Sequence, residues 1–136
     1  MSSISTIALS GMNAAGRRLQ VTASNIANVG SNGALPSANG TVPVGAPQAY
    51  VPLDVVQTAS TDGGTQTSVA TATPSYVATS DPSASFANQD GLVAAPNVDL
   101  AQQFVSTLVA KYSFAANAKV MQAADGMTQS LLNITA

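Results

Sequence analysis

The side chains that could do chemistry are few in this sequence, and they do not cluster. The 136 residues include no His and no Cys, and the six acidic residues are all Asp, no two of them closer than eight positions. Catalysis needs acids, bases or nucleophiles within hydrogen-bond reach of one another. A Ser or Thr nucleophile would have only Lys111 or Lys119 as a base. The sequence therefore predicts no catalytic residues and a protein that is not an enzyme.

Metal and cofactor sites are equally poorly supported. No glycine-rich loop follows a strand and precedes a helix, as a phosphate site would require. Asn25, Asn28 and Asn32 are the nearest approach to a set of polar ligands. Such residues are far more often the end of a helix and its turn, so we predict no metal, no cofactor and no small-molecule substrate.

Charge is scarce and scattered. Only 7% of the residues are charged, against about 25% in ordinary globular chains. Four basic residues do not form a phosphate-binding patch, so nucleic acid is not an expected partner. Arg17 and Arg18 form the single charged pair, and a solvated face and a contact to a neighbouring subunit explain it equally well. The low charge favours a surface that neighbouring subunits cover.

Two long helices are predicted, one at each end of the chain. Apolar residues recur there at intervals of three and four, the period of one helix face. Gly30 is a plausible stop for the first helix, and Asn97 is a good N-cap for the second. The residues expected to pack in the core and in the assembly are Ile4, Ala8, Met12, Ala15, Leu19, Ile26, Val105, Val109, Tyr112, Ala116, Val120, Met127 and Leu131.

The middle of the chain predicts loops and a small β element. Residues 31–47 are rich in Gly, Pro and Ser and read as loop. Residues 50–58 and 67–73 have strand composition, and Asp62-Gly63-Gly64 between them is a turn signal, so we expect a β-hairpin. A further short extended piece is expected at residues 91–95.

These elements predict a mainly α fold with a small β element. The long N- and C-terminal helices are expected to pack as an antiparallel, coiled-coil-like hairpin around a short β-hairpin and loop middle. The expected division is an N-terminal core helix at 1–30, the middle at 31–97 and a C-terminal core helix at 98–136. Residues 1–30 and 98–136 would together form one helical core domain.

Two motifs resemble the bacterial flagellar rod and hook axial proteins. The segment LQVTASNIANVGS, residues 19–31, is similar to the family's N-terminal signature, and residues 97–134 look like its C-terminal helix. The size of the middle favours a short proximal-rod protein of the FlgC type. The motif residues are Ser24, Asn25, Ile26, Ala27, Asn28, Asn97, Val98, Asp99, Leu100 and Asn117.

The resemblance implies a structural subunit of the flagellar basal-body rod. Such a subunit polymerises through its terminal helices into a tubular axial structure for motility. Its implied partners are copies of itself, other rod and hook-basal-body proteins, and the type III export apparatus. The implied location is the basal body, reached without a cleavable signal peptide. After Asn28 the continuation VGSNGALPS departs from the family pattern. A divergent protein that forms its own filament therefore stays an alternative, and the wide apolar surface of the second helix leaves open an adaptor that binds other axial proteins.

Overall fold

The chain folds into two long helices with short strands between them. The structure is a computed structural model that describes residues 2–37 and 39–135. Helix α1 spans Ser2–Ala27 and helix α2 spans Leu100–Thr135. Over the residues described, neither helix is long and apolar enough to cross a membrane. The predicted mainly α fold with a small β element in the middle is confirmed.

Helix α1 ends through an asparagine and not through the glycine that the sequence suggested. Its last residue is Ala27. The backbone N–H of Asn28 donates to the carbonyl oxygen of Ser24 at 3.1 Å, and Asn28 Nδ2 donates to the same oxygen at 2.9 Å. These bonds satisfy a carbonyl of the last turn, which has no partner further along the helix. Gly30 does not adopt a positive φ, so it does not act as the left-handed stop.

Helix α2 begins at an N-cap that lies two residues later than expected. Asp99 Oδ1 accepts hydrogen bonds from the backbone N–H groups of Ala101, at 2.8 Å, and Gln102, at 3.1 Å. A carboxylate in this position satisfies two free N–H groups and faces the positive end of the helix dipole. Asp99 is therefore the N-cap, and Asn97, which the sequence favoured, has a different role that is described below.

Among the residues described, the middle contains four strands in two small sheets. Strands β1 and β2 form one two-stranded sheet, and β3 and β4 form the other. The predicted hairpin and the strand near residue 92 are both present, whereas β3 was not predicted. The strands are β1 Leu53–Ala59, β2 Thr65–Thr71, β3 Tyr76–Ser80 and β4 Leu92–Pro96.

The turn between β1 and β2 contacts α1. Gly63 and Gly64 have φ values of 86° and 84°, a left-handed conformation that favours glycine. Ser10 Oγ accepts a hydrogen bond from the backbone N–H of Thr65 at 3.1 Å. A Cβ atom on Gly64 would lie 2.3 Å from Ser10 Oγ. The two glycines thus allow the turn to approach the helix closely enough for this bond.

Strand β4 is the most buried strand of the protein among the residues described. It pairs antiparallel with β3, from Tyr76 opposite Pro96 to Ser80 opposite Leu92. Its Val93 and Ala94 are fully buried. Ala94 also exchanges two backbone hydrogen bonds of 2.9 Å with Gly33 on its other edge. Strand β4 is therefore hydrogen-bonded on both edges and forms the centre of its unit.

The chain divides into two compact units, each built from several segments. The first unit comprises Met1–Thr22, Val55–Val69 and Phe104–Ala136. The second comprises Ala23–Asp54 and Ala70–Gln103. The boundaries predicted from the sequence, which join both helices in one core domain, stay a prediction.

Within the first unit the two helices are antiparallel. Gly11 of α1 lies against Asn117 of α2, and a cleft further along joins Leu19 to Ala110. As α1 advances, the facing residues of α2 therefore go backwards along the chain. This agrees with the expected antiparallel hairpin of helices.

Candidate assembly surface

Asn25 is the polar centre of the second unit. Its side chain is 2% exposed. Asn25 Nδ2 donates to the carbonyl oxygen of Leu53 at 2.8 Å, and Oδ1 accepts from the N–H of Leu53 at 3.0 Å. Nδ2 also donates to Gln103 Oε1 at 3.3 Å, and the Tyr50 hydroxyl donates to Oδ1 at 3.0 Å. Both donors and both acceptor positions of the amide are used, as a buried polar group requires.

Other residues of the same motif support this arrangement. Ser24 Oγ lies 3.0 Å from Tyr50 Oη. Because the Tyr50 hydroxyl proton is given to the asparagine, the Ser24 hydroxyl is the donor to Tyr50. Asn28 caps the helix as described above, Ile26 is half-buried and Ala27 is exposed. The motif therefore ends α1 with the bonds of Asn28 and, through Asn25, attaches Leu53 at the start of β1 to the end of the helix.

The alternative interpretation of the asparagines as metal ligands has no support in this geometry. The amide of Asn25 has no free position, and Asn28 Oδ1 accepts from Ser31 Oγ at 3.2 Å. Across residues 2–37 and 39–135, no group of three or more carboxylate, imidazole or thiol side chains is placed to hold a metal ion.

The second motif attaches the chain to the segment before β3. Asn97 Nδ2 donates to the carbonyl oxygen of Pro74 at 2.9 Å, and the backbone N–H of Asn97 donates to that of Ser75 at 3.1 Å. Val98 is half-buried, whereas Leu100 is exposed. Together with the Asp99 cap, these bonds attach the start of α2 to the segment before β3.

Asn117, the last motif residue, lies at the contact between the helices in the first unit. Its Nδ2 donates to the carbonyl oxygen of Ser113 one turn earlier, at 2.8 Å. A Cβ atom on Gly11 would lie 2.5 Å from Asn117 Oδ1. The absence of a side chain at Gly11 is therefore what makes room for the asparagine.

The residues predicted to pack fall into three groups by exposure. Ala8 and Ala15 are buried, and Met12 and Ile26 are half-buried. The remaining nine are exposed in the single chain: Ile4, Leu19, Val105, Val109, Tyr112, Ala116, Val120, Met127 and Leu131. Their role in assembly stays a prediction, and packing inside the subunit is made by other residues.

The buried face of α2 lies one residue away from the predicted stripe. That offset is about 100° around an α-helix. Its members are small or polar except for Met121, and all are buried or half-buried: Ser106, Ala110, Ser113, Asn117, Met121, Ala124 and Thr128. They recur at intervals of three and four, the same periodicity as the predicted stripe, but most of them are small or polar. Small side chains allow two helix axes to approach closely.

Comparisons with known proteins match both ends of the chain. Residues 6–34 match the family model described as flagella basal body rod protein. Residues 89–134 match the model described as flagellar basal body rod FlgEFG protein C-terminal. The two segments together cover more than half of the chain and include both motifs. The chain belongs to the flagellar basal-body rod protein family.

The family match does not extend to every detail that the sequence suggested. The assignment to the FlgC type is not tested by these matches and stays a prediction. No curated protein sequence matches the chain significantly. Strands β1 to β3 lie between the two matched segments, so the family resemblance resides in the helices, the motifs and β4.

Eight large apolar side chains on one side of α2 are exposed in this rod-family chain. We call this set the outer face of α2. Its members are between 42% and 68% exposed. A contiguous apolar surface of this kind typically marks a protein–protein contact. The outer face comprises Phe104, Val105, Leu108, Val109, Tyr112, Val120, Met127 and Leu131.

Arg17 and Arg18 form hydrogen bonds with different partners within the first unit. Arg17 Nη1 donates to Gln20 Oε1, one turn further along α1, at 2.9 Å. Arg18 Nη2 donates to Gln57 Oε1 on strand β1. Arg18 thus ties α1 to the β-hairpin in this rod protein, a role that neither of the sequence alternatives included.

Proposed function

We propose that this protein is a structural subunit of the bacterial flagellar basal-body rod, and that it polymerises through its terminal helices. The outer face of α2 is the observation that supports this most strongly. The helix buries small residues within the subunit and exposes large apolar ones. Large apolar side chains are normally the first to be buried. A partner that covers the outer face would bury these large apolar side chains.

The mechanism is mechanical and not chemical. Helices of successive subunits pack around a common axis to form a tube, and burial of the outer face holds neighbours together. At about 25 cal/mol per Å², each 1,000 Å² of apolar area would contribute a gross term of about 25 kcal/mol. Association and ordering costs remove much of this, but every added subunit repeats the contact. The rod family consists of structural proteins, in keeping with this role.

The partners and location follow from the family. We expect copies of this chain and other rod and hook-basal-body proteins as neighbours in the basal body. We expect the type III export apparatus to deliver the subunit. A short proximal-rod position of the FlgC type remains our finer assignment, because the middle segment is short.

A charge placed on the outer face tests the proposal. Val120 is 47% exposed in the single chain, so Val120→Asp leaves the carboxylate in water and the subunit folded. In a polymer the same carboxylate would be buried without a partner, which costs several kcal/mol. We expect loss of polymers by light scattering and electron microscopy, with the helical circular dichroism signal of the subunit unchanged.

Gln129→Asp is the matched control. It adds the same charge to an exposed position of α2 that does not belong to the outer face, so polymerisation should persist. Normal polymers from the Val120 variant would contradict the packing proposal. A discrete soluble complex with one other axial protein, without polymers of the chain itself, would favour the adaptor alternative.

A further inference from the structure

An apolar cleft opens between the helices of the first unit. It has a volume of about 310 Å³, roughly ten times the share of one water molecule in the liquid. Its lining is almost entirely apolar. Three residues of α1 and three of α2 form it: Ala15, Gly16, Leu19, Ala110, Lys111 and Phe114.

The cleft exists because of where small residues lie. Ala15 and Ala110 are buried and form its floor. A Cβ atom built on Gly16 would meet no other atom within 4 Å, so the space above this glycine is open. At Gly11 the opposite is true, since Asn117 fills the equivalent space. The space between the two helices is therefore filled at Gly11 and open at Gly16.

The chain also presents side chains that would fit such a cleft, but on a different side of α2. Tyr112 is 68% exposed and Phe104 is 59% exposed, and both belong to the outer face. Ala110 and Phe114 line the cleft. Tyr112 lies two residues after Ala110, which places it about 200° around the helix axis from Ala110. Tyr112 therefore points away from the cleft of its own chain.

We infer that the cleft receives an aromatic side chain from the outer face of a second copy of this chain. This inference rests on the proposed function and specifies its contact. A projecting surface and a receiving surface on different sides of one molecule make a heterologous contact. Such a contact continues from copy to copy and builds an open helical assembly when it does not close into a ring.

The charge at the cleft agrees with an aromatic occupant from this chain. Lys111 at the edge of the cleft is its single charged lining residue. An ammonium group can lie over the face of a tyrosine or phenylalanine ring and attract it. An acidic occupant would also suit Lys111, but the outer face contains no acidic residue.

A graded series at Gly16 tests the cleft directly. Gly16→Ala adds one methyl group to open space and should leave polymerisation intact. Gly16→Leu places a larger side chain at the cleft from a Cβ position that is open, and leucine favours a helix. We expect the critical concentration for polymerisation to rise roughly tenfold or more in the leucine variant, as loss of an apolar anchor at an interface does. Circular dichroism of both variants should show an intact helical subunit.

Cross-linking identifies the occupant. The natural chain has no cysteine, so single introduced cysteines can pair only with each other. Gly16→Cys protein is mixed under polymerising conditions with Tyr112→Cys or Phe104→Cys protein and mildly oxidised. A disulfide between the two chains requires Cβ atoms within about 4.5 Å. We expect a mixed dimer with at least one outer-face variant and none with Gln129→Cys.

The outcomes separate the two proposals. If the natural chain polymerises and the Gly16→Leu variant does so equally well, the cleft inference is overturned while the proposed function stands. If the Gly16→Cys protein cross-links only with itself, or only with a different axial protein, the assigned occupant is overturned. If the natural chain forms no polymer, both proposals are overturned.

Discussion

One side of α2 buries mostly small side chains and the other exposes large apolar ones, which is the reverse of the usual arrangement in a soluble helix. The side that contacts the rest of its own unit contains small and polar residues such as Ala110, Asn117 and Ala124. The outer face contains Phe104, Tyr112 and other large apolar residues. The difference supports the proposal that the large apolar side chains of the outer face make their contacts in an assembly.

The difference also explains why polar contacts matter inside the subunit. A buried methylene contributes about 0.8 kcal/mol, so a contact made of alanines stabilises less than one made of leucines. Hydrogen bonds with specific geometry, at Asn25 and Asn117, then determine which residues face each other. Three sets of variants test this comparison at the inner contacts.

The largest expected effect is at Asn25. Asn25→Ala removes an amide that makes four hydrogen bonds and leaves the Leu53 peptide group without its partner. Each buried polar group that loses its partner costs about 1–3 kcal/mol. We expect the free energy of unfolding to fall by about 3 kcal/mol, measured by urea denaturation. Asn13→Ala, at an exposed position of α1, is the control; an equal effect of both variants would contradict the role assigned to Asn25.

A matched pair of alanines compares the two sides of α2 directly. Ala124 is 2% exposed, whereas Ala115 is exposed on the opposite side of the same helix. Leucine at the buried position overpacks the helix contact, which typically costs about 1–3 kcal/mol. We expect Ala124→Leu to lower the free energy of unfolding of the subunit by about 2 kcal/mol and Ala115→Leu to change it by less than about 0.5 kcal/mol. Equal effects in denaturation curves would contradict the assignment of the two sides.

The two glycines of α1 give the smallest and most specific effect. Alanine in place of an exposed helical glycine stabilises by up to about 1 kcal/mol, so Gly16→Ala should raise the melting temperature. Gly11→Ala should lower it, because its Cβ must displace Asn117 and disturb the bond to Ser113.

The Gly11 effect depends on one neighbour, which provides its control. Asn117→Ala removes the atoms that the new Cβ would meet, so the double variant should recover most of the loss caused by Gly11→Ala. A thermodynamic cycle over the four proteins measures this coupling. No coupling, or a stabilising Gly11→Ala, would show that the close approach of the helices is not fixed at this point.

The helices and the family could be predicted from the sequence because their signals are local. Repeats of three and four residues are a property of neighbouring positions, and the motif residues other than Asn117 lie at helix ends. Which side of α2 faces inwards was harder to predict, because size usually decides burial and here it does not. The buried Ala110 and Ala124 recur with the same spacing as the predicted stripe, one position further along, but they are smaller than most of its residues.

The remaining differences depend on contacts between distant parts of the chain. Strand β3 is short and exposed, and its backbone is held by pairing with β4. The sequence of β3 alone contains no signal for that pairing. Asn97 and Asp99 are both good caps in isolation. The bonds of Asn97 to the segment at Pro74 leave the capping position to Asp99. Asn25 likewise owes its role to Leu53 and Gln103, 28 and 78 positions away.

The burial of the outer face between subunits can be observed by electron cryomicroscopy of the purified full chain under polymerising conditions. We expect straight tubes in which the outer face of α2, with Phe104 and Tyr112, is buried between neighbouring subunits. Tubes in which the outer face points into solvent would contradict it. So would a chain that stays a stable monomer at high concentration with that face exposed.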